Sequence, residues 1–132
     1  MKRILIVEDD FTNRMILQKF LSRYFKTHVA VDGNEAVSAV KMMYDEKTPY
    51  EIIFLDIMMP SKDGYEVLNE VRAMENELGI KIEKRIKIFM MTALDDAKNV
   101  MKAFREECDY YFTKPFDLAK LLQKLKDDDL LN

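Results

Sequence analysis

The chain alternates two hydrophobic rhythms, and that alternation limits the folds open to it. Five short runs, at residues 3–7, 27–31, 52–55, 86–91 and 110–113, are rich in β-branched or aromatic residues. The first, third and fourth are almost continuously apolar, the pattern of interior parallel strands covered on both faces. Between the runs the apolar period becomes that of a helix. Met15, Leu17, Phe20, Leu21 and Tyr24 fit one face, as do Ala36, Val37, Val40 and Met43, then Val67, Leu68, Val71 and Met74. Val100, Met101 and Phe104 mark a shorter fourth helix. Leu118, Leu121, Leu122 and Leu125 mark a last one, with Asp117 placed as its N-cap. Five successive strand–helix units imply an α/β fold, a doubly wound parallel sheet with right-handed crossovers. At 132 residues the length suits one domain, so residues 1–132 are expected to form a single unit.

Composition removes several classes of function. A net charge of −3 without clustered Lys and Arg argues against a nucleic-acid-binding face. The single cysteine, Cys108, cannot form an internal disulfide, and no Cys/His set with zinc-ligand spacing is present. Near the N-terminus the apolar run is short and meets acids at once. It is neither a signal peptide nor a membrane span, and the cytoplasm is the expected location.

The unusual polar residues fall in a pattern. Glu8 and Asp9 follow the first run, Asp56 the third, Thr92 the fourth and Lys114 the fifth. Open α/β sheets bind ligands outside the carboxyl ends of their strands, so these five residues point to one edge of the sheet. Any one of them alone reads as a helix cap or a turn, and Asp10 or Thr12 can serve as a cap here; four strand ends agreeing is a different matter. Three converging carboxylates repel one another unless a cation intervenes. Hard oxygen donors without Cys or His favour Mg²⁺, which takes one or two carboxylates and keeps several waters. An aspartate beside such a metal is a competent nucleophile toward phosphorus, giving an acyl phosphate. Lys114 would offset phosphoryl charge, and the Thr92 hydroxyl could donate to a phosphoryl oxygen.

At this point the residues match a family. The segments ILIVEDD (4–10), FLDIMMPSKDGYEVL (54–68), MTA (91–93) and YFTKPF (111–116) resemble the receiver domains of two-component response regulators. The resemblance runs from Lys2 to about Lys126. It implies a flavodoxin-like (βα)5 fold with strand order 2-1-3-4-5. In that order Lys114 lies two strands from Asp56, about 10 Å at ordinary strand spacing, which only a long cation can span. The resemblance further implies that Asp56 accepts phosphate from a phosphohistidine on a sensor histidine kinase or a histidine phosphotransfer protein. Asp9 looks like the direct metal ligand, Glu8 acts mainly through metal-bound water, and Met58 supplies its backbone carbonyl. Thr92 and the backbone N–H of Ala93 would hold phosphoryl oxygens, while Lys114 pairs with the phosphoryl group and Lys114–Pro115 is cis. Tyr111 occupies the place of the family's rotating aromatic switch. The output is expected on the face of the fourth helix, fifth strand and fifth helix, on or near which Lys98, Lys102, Arg105, Lys120 and Lys124 fall, and which would contact a downstream protein. On this reading the chain catalyses only its own phosphorylation and dephosphorylation, and binds neither nucleic acid nor membrane.

Two positions depart from the common pattern. Glu8 stands where many members have Asp, and Met58 offers no hydrogen-bonding side chain to orient an attacking water. Gly64, in the loop after Asp56, suits a turn with positive φ, the alternative being a plain helix start. A phosphatase of the haloacid-dehalogenase type uses similar groups, but wants a second Asp two residues after the nucleophile, where Met58 stands. A phosphate-independent docking module is disfavoured by the complete acid set.

Overall fold

The computed structural model describes residues 1–93, Lys102 and 108–131. Its strands are β1 (Arg3–Val7), β2 (Lys26–Ala30), β3 (Ile52–Asp56), β4 (Lys87–Thr92) and β5 (Tyr110–Thr113). They form one parallel sheet in the order β2-β1-β3-β4-β5. The helices are α1 (Phe11–Leu21), α2 (Gly33–Asp45), α3 (Gly64–Glu77) and a C-terminal helix (Leu118–Asp127). The fourth helix expected around Val100, Met101 and Phe104 lies outside the described residues, as do Lys98 and Arg105.

The three nearly continuous apolar runs became β1, β3 and β4, the interior of the sheet. Their residues alternate between two cores because successive side chains in a strand point to opposite faces. Leu5, Val7, Ile53, Leu55, Ile88 and Met90 pack beneath α2 and α3. Ile4, Ile6, Ile52, Phe54, Phe89 and Met91 pack beneath α1 and the C-terminal helix. Each fully buried aliphatic or aromatic side chain contributes about 1.5–3 kcal/mol, so the two cores together set the register firmly. Strands β2 and β5, at the sheet edges, are only partly covered.

Local signals set where the helices begin. Asp10, Asp32, Asp63 and Asp117 each accept a backbone N–H three residues on, the bond that an N-cap supplies at about 1 kcal/mol. Asp63 and Glu66 complete a reciprocal capping box at α3. Within α1 the helical face is narrower than its periodicity predicted. Leu17 and Leu21 are buried, whereas Met15 is 51% exposed and Tyr24 lies beyond the helix end.

Gly64 corrects one expectation. It opens α3 and does not carry positive φ; in that loop the left-handed residue is Ser61, with φ of 69°. The need for glycine is steric, since a Cβ there would lie 2.5 Å from the Asp56 carbonyl oxygen. The Gly64 N–H donates to the Ile57 carbonyl at 2.9 Å, so α3 starts hard against the strand end that carries Asp56.

At the opposite end of the sheet lies a buried polar network that periodicity gave no reason to expect. The Arg72 guanidinium donates to Glu75 Oε1 at 2.7 Å, to the Ile86 carbonyl at 2.8 Å and to Asp109 Oδ2 at 2.9 Å. Glu75 and Asp109 in turn accept the backbone N–H groups of Ile86 and Ile88, each at 2.8 Å. The network ties α3 to the starts of β4 and β5. Replacing Arg72 with Met leaves Glu75, which is 0% exposed, without its cation. That substitution is expected to cost about 3 kcal/mol of stability, read as a lowered urea midpoint with an unchanged slope.

Candidate functional site

The parallel ladder brings the polar residues together. Val7 pairs with Leu55, so Glu8 and Asp56, the next residue of each chain segment, emerge side by side. Asp56 pairs with Met91, and Thr92 with Thr113, which places Thr92 and then Lys114 along the same edge. A further ladder bond, from the Lys114 N–H to the Thr92 carbonyl at 2.7 Å, holds the lysine beside the end of β4. Strands β3 and β4 end one residue later than their apolar runs indicated, so Asp56 and Thr92 are the last residues of their strands.

Across that edge, the Lys114 ammonium donates to Glu8 Oε1 at 2.6 Å and to Asp56 Oδ2 at 3.2 Å. The lysine therefore reaches over β4, the span that the strand order required. Glu8 is 0% exposed and Asp56 3%, which makes these charges costly unless they are paired. Burial, followed by the neighbouring Glu8, pushes the Asp56 carboxyl up to about 7 against the opposing pull of Lys114. Burial works to lower the Lys114 ammonium, but hydrogen bonding to Glu8 and the charges of both acids outweigh it and raise the net value. Positive charge is in short supply here, because among the described residues one ammonium faces the two buried acids.

One oxygen tests whether a metal fits. Glu8 Oε2 is buried and, among the described residues, has no hydrogen-bond partner. Glu8, Asp9 and Asp56 each offer a carboxylate oxygen, and these lie within 4.8 Å of one another. An oxygen-only donor set with one orphaned lone-pair site suits a hard divalent cation such as Mg²⁺.

The remaining expected residues surround this centre. Thr92 is fully buried, and Ala93 follows it at the exposed surface. Met58 is 62% exposed, and its backbone N–H donates to Asp56 Oδ1 at 3.3 Å. Lys114–Pro115 is cis. Tyr111 is half-buried against the core under α2 and α3, on the strand that leads to Lys114. Lys120 is exposed, and Lys124 stands over the Tyr110 ring at 5.0 Å. Lys102 stands over the Tyr65 ring at 4.3 Å.

Sequence reasoning missed Arg14. Its Nη1 donates to the Glu8 carbonyl at 2.9 Å and the Asp9 carbonyl at 3.3 Å, clamping the backbone that carries two of the acids. Nothing in spacing separates such a residue from an ordinary solvated arginine on a helix.

Comparison with known proteins agrees with this geometry. Residues 4–126 match the sequence model of the response regulator receiver domain. The chain is 38% identical over 125 residues to the regulatory protein VanRB of Enterococcus faecalis, covering 94% of this chain and half the length of that relative. Among solved structures, it is similar to the complex of the Saccharomyces cerevisiae histidine phosphotransfer protein Ypd1 with the receiver domain of its downstream response regulator Ssk1. There the TM-score is 0.82 at 29% identity, over 96% of this chain and 87% of the other. It is also similar to the receiver domain of a sensor histidine kinase from Pseudomonas aeruginosa with magnesium coordinated in its active site cleft. That match has a TM-score of 0.77 at 28% identity, over 96% and 95% of the two chains. No helix among the described residues is long and apolar enough to cross a membrane. With the parallel 2-1-3-4-5 sheet and an acidic cluster at its carboxyl edge, the chain belongs to the response regulator receiver domain family of two-component and phosphorelay signalling.

Proposed function

We propose that Asp56 is the phosphoacceptor of a two-component or phosphorelay switch. The observation that carries this reading is the meeting of Lys114 Nζ with Asp56 and Glu8 beside the orphaned Glu8 oxygen. Attack by an Asp56 carboxylate oxygen on a phosphohistidine forms an O–P bond and breaks the N–P bond. The product is an aspartyl phosphate, and the imidazole leaves with the electron pair. Lys114, already within 3.2 Å of the nucleophile, holds the charge of the incoming phosphoryl group. The Thr92 hydroxyl and the Ala93 N–H receive its other oxygens. Asp9, Asp56, the Met58 carbonyl and, through water, Glu8 would hold Mg²⁺, which when bound supplies charge neutralisation to the carboxylates and to the phosphoryl oxygens. The magnesium in the similar Pseudomonas receiver supports that assignment.

The donor is a sensor histidine kinase or a histidine phosphotransfer protein, a reading supported by the similar Ssk1 receiver in complex with its phosphotransfer protein. Tyr111 is the residue that reports modification, by rotating as Thr92 is drawn toward the phosphoryl group. Its surroundings on β5 and the C-terminal helix form part of the face offered to a downstream protein. Residues 1–132 act as one receiver unit in the cytoplasm, changing partners rather than turning over a substrate and binding no nucleic acid.

Incubation with acetyl phosphate and Mg²⁺ is expected to add one phosphoryl mass to the chain, mapped to Asp56 and lost in Asp56→Asn. Labelling that persists in Asp56→Asn would overturn the assignment.

Met58 sets the second expectation. Without a polar side chain two residues past the nucleophile, spontaneous hydrolysis should be slower than in Met58→Asn, by about tenfold. Equal phosphoryl lifetimes in the two proteins would sink the idea.

Acid–base behaviour provides a third check. The Asp56 carboxyl is raised to about 7 in the fold, above its usual value near 3.8. Its contribution to stability is therefore complete below about pH 4 and is lost as pH rises through about 7. In metal-free buffer Asp56→Asn should gain on the parent protein across that window, by on the order of 2–4 kcal/mol, and then level off. Urea unfolding at both ends of the window measures it, and a gap independent of pH would refute the raised carboxyl.

A further inference from the structure

Strand β2 is the edge of the sheet on the side away from β5. The Lys26 N–H donates to the Lys2 carbonyl, and the Ala30 carbonyl accepts from the Glu8 N–H, so these residues spend their backbone groups on β1. By the alternation of a parallel ladder, Thr27, Val29 and Val31 direct theirs outward. The Val31 N–H is capped by Glu35 Oε1 at 3.1 Å. Val29 and Val31 are 41% and 39% exposed, and Met42 on the adjoining helix is 55% exposed.

An open apolar edge of this kind is ordinarily blunted by charge. Here the charges stand at its two ends with opposite sign, Lys26 before the strand centre and Asp32 just beyond the strand. They are equally far from Val29. Antiparallel pairing with a second β2, centred on Val29, would set Lys26 of one copy against Asp32 of the other, twice. Parallel pairing in register would set like charge on like.

The same register satisfies the backbone. Val29 would exchange both of its hydrogen bonds with Val29 of the other copy, the close pair of an antiparallel ladder. The Thr27 N–H would meet the Val31 carbonyl, and the Thr27 carbonyl would take the Val31 N–H, which gives up its present bond to the Glu35 side chain.

The helices leave room for this. Both α1 and α2 pack on β1 and β2 together, so each straddles the two strands. A helix centred between strands about 4.8 Å apart then lies about 10 Å from its two-fold mate, an ordinary helix-packing distance. Met42 stands on α2, on the side of the sheet where the two copies of that helix would face each other.

From backbone direction, charge order and helix spacing together, we propose that the chain self-associates through antiparallel β2–β2 pairing, making one continuous sheet across a two-fold axis. This edge lies away from Tyr111 and β5, and the pairing does not depend on phosphorylation of Asp56.

Light scattering and sedimentation on the unmodified protein should show the mass rising toward twice the chain mass with concentration. Lys26→Glu, an exposed change that leaves the cores intact, should weaken association by about tenfold or more, because the introduced carboxylate would then oppose Asp32 of the other copy. Val29→Lys should abolish it. Mixing Lys26→Glu with Asp32→Lys should restore a heterodimer, since each of the two cross-strand pairs then sets a carboxylate against an ammonium, with circular dichroism confirming that each variant is folded. A chain that stays monomeric throughout, or a dimer indifferent to Lys26→Glu and Val29→Lys, would overturn the proposal.

Discussion

The parallel pairing of β1 with β3 is the constraint on which the rest of the site depends. Because Val7 and Leu55 are partners, Glu8 and Asp56 emerge side by side, both buried. Two carboxylates so placed repel each other, and among the described residues the fold answers with the Lys114 ammonium from two strands away. Lys114 bonds both acids, yet Glu8 Oε2 keeps no partner among the described residues and Asp56 stays hard to ionise. This residual shortage of positive charge is what makes the edge receptive to a metal.

Precision at that edge is maintained from behind. Arg14 holds the carbonyls of Glu8 and Asp9, and the approach of α3 at Gly64 leaves no space for a Cβ beside the Asp56 carbonyl. At the other end of the sheet, Arg72 binds α3 to the strand starts through Glu75 and Asp109. Helix α3 is thus pinned at both ends, by sterics near the acids and by ion pairing far from them. A site of charged groups gains from such support, since electrostatic stabilisation requires donors already in position before the charge arrives.

Much of this was legible in order along the chain. Continuous apolar runs identified β1, β3 and β4 as interior strands because a strand covered on both faces needs apolar residues at every position. Polar residues directly after such runs pointed to one sheet edge because strand ends in a parallel sheet share it, and Glu8, Asp56 and Lys114 do meet there. Boundaries slipped by a residue or so where the last strand residue was itself polar, as with Asp56 and Thr92. Met15 fitted the helical period and still faces solvent, since period alone does not say how wide a face the core will cover.

Local pattern was therefore enough for the doubly wound α/β class and for the sheet edge at which Glu8, Asp56 and Lys114 meet. Hydrophobic period and strand-end position are properties of short stretches of chain, and they can be read one stretch at a time. Packing in three dimensions settled which oxygen Lys114 reaches, that Glu8 is left with an unmatched one, that Gly64 is required by contact rather than by φ, and that Arg72 lies inside. Those outcomes depend on distances between segments far apart along the chain, and no local pattern encodes a distance across the fold.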